Sequence, residues 1–161
     1  MLDGNILIIG GYGAVGRVMA LALANKFPGR VVVAGRSYEK ARALAQESGN
    51  KLRPYQVDLT TAHESLGILD GVAVVVMCLD IPDVKFVQVC LQRGIHYVDI
   101  TAEDEILRQI EALNGVAKVS RSTAVLSVGL APGLTNLLAR YAQSQFDVLH
   151  HIDIYILLGM G

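Results

Sequence analysis

Hydrophobic residues in this chain fall into short continuous runs, and these runs alternate with segments in which apolar positions recur at helical spacing. A continuous aliphatic run is typical of a strand that is buried on both faces of a parallel sheet. Strands are predicted at residues 6–9, 31–34, 52–57, 72–77, 95–100 and 124–128. Helices are predicted at residues 14–26, 38–48, 61–69, 82–93 and 103–113, and after the turn at 129–133 as far as about residue 145. Strict alternation of strand and helix predicts an α/β fold with a doubly wound parallel sheet and right-handed crossovers.

Single residues refine the position of these elements. Pro54 lacks a backbone N–H, so the third strand is predicted at an edge of the sheet. Residues 72–77 show no polar alternation, so the fourth strand is predicted near the centre. The spacing Thr61-x-x-Glu64 predicts a capping box at the start of a short helix. Pro82 is predicted in the first turn of the next helix, where a missing N–H costs nothing.

The glycines between the first strand and the first helix fit the spacing G-x-G-x-x-G. Gly11 is predicted to turn the chain off the strand, Gly13 to let a pyrophosphate approach the backbone, and Gly16 to let the helix pack closely on the strand. The N–H groups at the start of that helix would face the phosphates. The strand, turn and helix together predict a Rossmann-type dinucleotide site. Its predicted cofactor-binding residues here are Gly11, Tyr12, Gly13, Ala14, Val15 and Gly16.

The glycines of this turn also fit a second spacing. Gly10, Gly13 and Gly16 also fit G-x-x-G-x-x-G, a spacing associated with short-chain dehydrogenases. That class needs a Tyr with a Lys four residues later. None of the 6 tyrosines in the sequence has Lys at that offset, which counts against this interpretation.

The residues after the second strand decide between the two nicotinamide cofactors. NAD sites of this type usually place Asp or Glu there to hold the ribose 2′-hydroxyl. This chain instead has Arg36, whose planar guanidinium suits a 2′-phosphate, followed by Ser37 and then Lys40 one turn later. NADP(H) is therefore predicted in preference to NAD(H). Ser37 is also predicted as the N-cap of the next helix, and the two roles are compatible.

Residues that follow the third and fourth strands are predicted to line the same cofactor. Asp58 is placed to contact the adenine amino group or to cap the turn before Thr60, and the sequence leaves both open. Leu59, Cys78 and Leu79 complete the predicted cofactor-binding set. Cys78 is interpreted as a packing residue, because the motifs place no His or Asp to activate it as a nucleophile.

Composition limits the other classes of function. The chain is 52% hydrophobic and 18% charged, which suits a globular domain with a sizeable core. A net charge of −1 gives no basic surface for nucleic acid and no polybasic tract for a membrane. The 2 cysteines form no C-x-x-C and the 4 histidines are scattered, so no metal site is predicted. A soluble, cytoplasmic protein is expected, since no apolar run is long enough to span a membrane.

Four segments of the chain are distinctive: GGYGAVG at 10–16, AGRS at 34–37, VCLQRGIHYVDIT at 89–101 and GLAPGLTN at 129–136. Together they resemble the saccharopine dehydrogenase (saccharopine reductase) family. The resemblance implies an N-terminal NAD(P)-binding domain, placed at residues 1–146, followed by a substrate and dimerisation domain. Family enzymes are much longer, and residues 147–161 are interpreted as the first strand of a truncated second domain, because residues 150–158 alternate polar and apolar.

The resemblance also implies the class of reaction. The namesake enzymes transfer hydride between a nicotinamide and the C–N bond of an amino-acid adduct, so an amino-acid-derived substrate is expected. Tyr97, Asp99 and Thr101 share one side of the fifth strand and are the predicted substrate residues. The alternative, that Asp99 bonds a neighbouring loop and Thr101 caps a helix, stays open. No catalytic residue is predicted.

Two further expectations concern assembly and mode of action. The predicted final strand has Ile152, Ile154, Ile156 and Leu158 on one side, which favours a homodimer that covers them, or else a tail that is disordered or wrapped by a neighbour. The chain alone is expected to bind nucleotide without turnover. A nucleotide-sensing regulatory module without redox chemistry is the alternative function. Such modules commonly keep an acid after the second strand, where this chain has Arg36.

Overall fold

A computed structural model describes residues 3–60 and 67–157 of the chain. Its described residues form one six-stranded sheet in which neighbouring strands run parallel. The strands are β1 (Asn5–Ile9), β2 (Val31–Gly35), β3 (Leu52–Gln56), β4 (Val72–Met77), β5 (His96–Asp99) and β6 (Ala124–Val125). The helices are α1 (Ala14–Lys26), α2 (Tyr38–Glu47), α3 (Lys85–Gln92), α4 (Asp104–Glu111), α5 (Asn114–Ser120) and α6 (Leu134–Gln143). The strand order β3-β2-β1-β4-β5-β6 confirms the predicted Rossmann-type sheet, with its switch point between β1 and β4.

The central strand β1 is buried on both faces, as its uninterrupted aliphatic sequence predicts. Leu7 and Ile9 belong to the core under α3, α4 and α5. Ile6 and Ile8 belong to the core under α1 and α2. Fully burying one such side chain stabilises the fold by about 1.5–3 kcal/mol. The two hydrophobic cores therefore hold the sheet from both sides and fix the edge at which its strands end.

The two edge strands of the sheet, β3 and β6, differ in how well they match the prediction. β3 is an edge strand that contains Pro54, as predicted. β6 was predicted to reach Val128, but the strand stops at Val125. The reason is Ser127, which has a φ of 60° and donates its backbone N–H to the Asp99 carboxylate rather than to a strand ladder.

Three helix predictions also need comment. The helix predicted to start at Pro82 begins at Lys85, because the Asp83 carboxylate accepts the Lys85 N–H at 2.9 Å in a turn that precedes the helix. The helix predicted at 103–113 ends at Glu111, and α5 follows it without having been predicted. The capping box predicted from Thr61 lies outside the described residues.

The C-terminal part of the described chain is the least covered. α6 has no buried residue. Residues 150–157 form no strand, contrary to the prediction, because a strand needs a partner and none lies beside them within the described chain. Tyr155 and Leu157 are 91% and 98% exposed, whereas Ile154 shares a groove with Leu138 of α6. The domain boundary and the homodimer predicted from this segment stay predictions.

The contact between α1 and β1 leads to a prediction about stability. A Cβ atom built on Gly16 would overlap the Gly10 carbonyl oxygen, and backbone cannot move aside as a flexible side chain can. Gly16→Ala is expected to lower the free energy of unfolding by about 1–3 kcal/mol, which urea denaturation measures. Gly115→Ala is the matched control: this glycine is also helical, and no described atom lies within 4 Å of its built Cβ. The control is expected to raise stability by about 0.4–1 kcal/mol, and equal effects of the two substitutions would contradict the account.

Candidate nucleotide-binding site

A cleft of about 390 Å³ lies where the carboxyl ends of β1, β2, β3 and β4 meet. Its lining comes from four separate segments of the chain, one after each of these strands. The lining residues are Ile9, Gly10, Tyr12, Gly13, Gly35, Arg36, Val57, Asp58, Leu59, Thr60, Cys78, Leu79, Asp80 and Pro82. The cleft thus brings together most of the predicted cofactor-binding residues at the switch point, where open α/β sheets bind their ligands.

The turn after β1 depends on Gly10 in addition to the three glycines of the G-x-G-x-x-G motif. Gly10, not Gly11, carries the left-handed conformation, with a φ of 75°. Gly11 is instead packed closely, since a Cβ on it would lie 3.0 Å from the Ile8 carbonyl oxygen and from a methyl of Val33. At Gly13 a Cβ would meet only the Gly10 carbonyl oxygen, at 3.2 Å, so the cleft side of that backbone is open. The structure assigns the sharp turn to Gly10 and leaves Gly13 as the point of close approach for a ligand.

Helix α1 starts at this turn, and Gly13 immediately before it lines the cleft. The Arg17 N–H bonds the Gly13 carbonyl at 2.9 Å, which is the first helical hydrogen bond. The N–H groups of Ala14, Val15 and Gly16 precede it and have no acceptor among the described residues. Such a helix start carries a partial positive charge and suits a phosphate. These three residues are not in the cleft lining, and their contact with a cofactor stays a prediction.

The loop after β2 holds the positive side chain that the sequence singled out. Arg36 is exposed and lines the cleft. The Ser37 hydroxyl oxygen accepts the Lys40 N–H at 3.3 Å, so Ser37 is the N-cap of α2 as predicted. Lys40 and Ser37 lie beside the cleft rather than in its lining. Arg36 is therefore the cation that faces the cleft most directly.

The structure shows one of the two roles predicted for Asp58. Its carboxylate accepts the backbone N–H of Thr60 at 3.0 Å and the Thr60 hydroxyl at 2.7 Å, so it caps the turn. These hydrogen bonds lower the pKa of Asp58, and the nearby charge of Arg36 lowers it further. The carboxylate stays ionised at neutral pH. Contact with adenine remains a prediction, while Leu59 beside it lies in the cleft as expected.

The loop after β4 forms the apolar wall of the cleft. The Cys78 thiol donates to the Met19 sulfur at 3.6 Å. Burial raises the pKa of Cys78 to about 11, so the group is a neutral thiol at physiological pH. This agrees with its interpretation as a packing residue. Leu79 is 41% exposed and lies over Gly10, so a side chain at position 10 would overlap Leu79.

The predicted substrate residues lie in the interior rather than in the cleft. Tyr97, Asp99 and Thr101 are 0%, 1% and 8% exposed. The Asp99 carboxylate accepts the Ser127 N–H at 2.8 Å, and the Thr101 hydroxyl accepts the Glu103 N–H at 3.2 Å. This burial is at odds with the predicted contact to substrate. For Asp99 the structure contains the alternative arrangement, because its carboxylate bonds the neighbouring loop at Ser127. The Thr101 hydroxyl bonds the Glu103 N–H in the turn just before α4 begins.

Two polar atoms of this interior group have no hydrogen-bond partner within residues 3–60 and 67–157. They are the Tyr97 hydroxyl and the second carboxylate oxygen, Oδ2, of Asp99. Burial raises the pKa of the Asp99 carboxyl, and hydrogen bonds from the backbone N–H groups of Ser127 and Thr101 oppose part of that rise. Burial also raises the pKa of Tyr97. The ionised carboxylate is thus less stable here than in water.

Comparison with known proteins identifies the family. The family model for the saccharopine dehydrogenase NADP binding domain matches residues 6–125. The chain belongs to this family. Its cofactor is accordingly NADP, as Arg36 predicts. A comparison with curated proteins gave no match.

Solved structures confirm the fold of this NADP-binding domain. Apo saccharopine dehydrogenase (L-Glu forming) from Saccharomyces cerevisiae has a TM-score of 0.65 and 23% identity, covering 88% of this chain and 31% of that one. A putative NADPH:quinone reductase from Bacillus thuringiensis has a TM-score of 0.55 and 16% identity, covering 90% of this chain and 43% of the other. Citrobacter sp. triphenylmethane reductase, solved with NADP(H), has a TM-score of 0.50 and 18% identity, covering 74% and 48%. The chain thus spans about a third of the yeast protein's length.

The structure also limits what else this domain contains. Within residues 3–60 and 67–157, no three His, Cys, Asp or Glu side chains are grouped to hold a metal ion. In the same ranges no helix is long and apolar enough to cross a membrane. Sequence reasoning did not place Gly10 among the site residues. Its position in the second glycine spacing, G-x-x-G-x-x-G, is the feature that could have identified it.

The buried position of Asp99 leads to a prediction about pH. Because its pKa is raised in the folded state, this group contributes stability that is present below the unfolded pKa of about 3.9 and is lost as the pH rises through the folded value. Asp99→Asn keeps the acceptor for Ser127 and cannot ionise. In urea denaturation, its stability relative to the parent is expected to improve as the pH rises from about 4 toward neutrality.

Asp99→Ala separates ionisation from hydrogen bonding. It leaves the partly buried Ser127 N–H without its acceptor, which is expected to cost about 1–3 kcal/mol, since the lost hydrogen bond is to a carboxylate. A stability difference between Asp99→Asn and the parent that stays constant with pH would show that Asp99 ionises normally in the folded protein.

Proposed function

We propose that this domain holds the cofactor of an NADP(H)-dependent oxidoreductase that transfers hydride at a C–N bond of an amino-acid-derived substrate. The observation that carries the proposal is Arg36, which faces the switch-point cleft where an NAD enzyme would have a carboxylate. Similarity to the saccharopine dehydrogenase family supports the class of substrate.

The residues of the cleft fit the parts of NADP(H) in order. The backbone at Gly13 and the free N–H groups of Ala14 and Val15 would hold the pyrophosphate. The guanidinium of Arg36 and the hydroxyl of Ser37 would hold the 2′-phosphate through charge-assisted hydrogen bonds. The reduced nicotinamide supplies the hydride when the cofactor is bound.

Two cleft residues have a shifted pKa, and neither shift favours proton transfer near neutral pH. The pKa of Asp58 is lowered, so its carboxylate stays ionised, and the pKa of Cys78 is raised to about 11. A general acid or base works best when its pKa lies near the working pH, and both shifts lead away from it. The proposal therefore gives this domain the tasks of binding and orienting the cofactor, with the proton donor supplied from outside the cleft.

Cofactor choice is the first test of the proposal. NADPH is expected to bind more tightly than NADH, and Arg36→Ala is expected to weaken NADPH by about ten- to a hundredfold with little effect on NADH. The reason is loss of the charged hydrogen bonds to the 2′-phosphate. Titration of the nicotinamide fluorescence of NADPH and NADH measures both affinities.

Arg140→Ala is the matched control for that titration. It removes the same charge from α6, outside the cleft, and should leave both affinities unchanged. Equal affinity of the parent protein for NADPH and NADH would contradict the assignment of Arg36 to the 2′-phosphate.

The second test concerns catalysis by the chain alone. Since this domain is proposed to bind and orient the cofactor while the proton donor comes from outside the cleft, the purified 161-residue chain is expected to bind NADPH without turning over saccharopine. Absorbance of the reduced nicotinamide, followed with saccharopine and NADP⁺ present, measures this. Sustained formation of NADPH would place the complete catalytic apparatus within these residues and refute the division of tasks.

A further inference from the structure

Tyr12, inside the glycine turn, reaches from β1 to the end of β2. A Cβ built on Gly35 would lie 2.5 Å from the Tyr12 hydroxyl oxygen and 2.7 Å from two of its ring carbons. The phenol end of the ring therefore lies against Gly35, where a larger residue would displace it. The phenol oxygen accepts the backbone N–H of Ser37 at 2.9 Å. One side chain thus joins the two loops proposed to hold the pyrophosphate and the 2′-phosphate.

The segment that Tyr12 holds is the one that carries the cation. Arg36 precedes Ser37 directly, and its carbonyl accepts a hydrogen bond from the Gln56 side chain at 3.1 Å. The main chain around Arg36 is consequently held from the β1 side by Tyr12 and from the β3 side by Gln56. A fixed main chain reduces the number of positions that the guanidinium can adopt, which lowers the entropic cost of holding a ligand.

The hydroxyl proton of Tyr12 remains available. Its oxygen accepts from Ser37, and the hydrogen bonds of the described residues include none that the Tyr12 O–H donates. Tyr12 and Arg36 both line the cleft. An O–H donor and a guanidinium that line the same cleft suit an anion with several acceptor oxygens, which is the chemistry of a phosphate monoester.

We propose that Tyr12 determines cofactor specificity: its hydroxyl accepts the Ser37 N–H and donates its own proton to the 2′-phosphate of NADP(H). This inference rests on the proposed function and adds a second donor to the 2′-phosphate site beside Arg36. The ring holds the loop in place, and the hydroxyl makes the discriminating contact.

Tyr12→Phe tests the inference because it keeps the ring on Gly35 and removes only the oxygen. The affinities for adenosine 2′,5′-bisphosphate and for 5′-AMP, measured by isothermal titration calorimetry, isolate the 2′-phosphate from the nicotinamide. The variant is expected to bind the bisphosphate about tenfold more weakly than the parent and 5′-AMP equally well. Tyr141→Phe, on exposed α6, is the matched control and is expected to bind both as the parent does.

The possible results separate the inference from the proposed function. If the parent binds both nucleotides equally, the proposed preference for NADP(H) fails. If the parent prefers the bisphosphate and Tyr12→Phe keeps the whole preference, the inference about Tyr12 alone is overturned. An equal loss of affinity for both nucleotides would also overturn it, because that result would assign the hydroxyl to general support of the turn.

Discussion

The close approach of α1 to β1 is the constraint on which the site depends. The helix can begin directly at the carboxyl end of the strand only because residue 16 has no side chain that would overlap the Gly10 carbonyl. That start leaves the N–H groups of residues 14–16 without an acceptor among the described residues, at the sheet edge where the switch point between β1 and β4 lies. The same turn places Tyr12 against Gly35 at the end of β2. A phosphate bound here would be held by backbone N–H groups more than by any single side chain.

The charged side chains near the cleft add to what the backbone of the turn contributes. Among the described residues that line the cleft, Arg36 is the one with a positive charge, and the nearby carboxylate of Asp58 is already bonded to Thr60. A carboxylate that is held by its own turn competes less for Arg36 than a free one does. An acidic residue at position 36 would repel a 2′-phosphate, so this position contributes strongly to the choice between the two cofactors. Membership in a family of NADP-binding domains agrees with this reading of the charges.

Sequence reasoning found what local pattern encodes and missed what distant contacts decide. The strands, the edge position of β3 and the cofactor cleft follow from aliphatic runs, Pro54 and the glycine spacing. The early end of β6 does not, because it depends on a bond between Asp99 and Ser127, which lie 28 residues apart. The burial of Tyr97 depends on packing of the helices over β5. The strand predicted after residue 150 fails for a similar reason, since alternation shows that a segment suits a sheet and cannot supply the partner strand.

The central claim is that NADP(H) lies across the carboxyl ends of the strands, with its pyrophosphate at the start of α1 and its 2′-phosphate at Arg36. Amide chemical shifts of the ¹⁵N-labelled chain, recorded with NADP⁺ and with NAD⁺, test it most directly. Both ligands are predicted to shift the amides of residues 13–16, and only NADP⁺ is predicted to shift those of Arg36 and Ser37 strongly. Shifts confined to α6, or the same shifts at Arg36 and Ser37 with both ligands, would contradict the account.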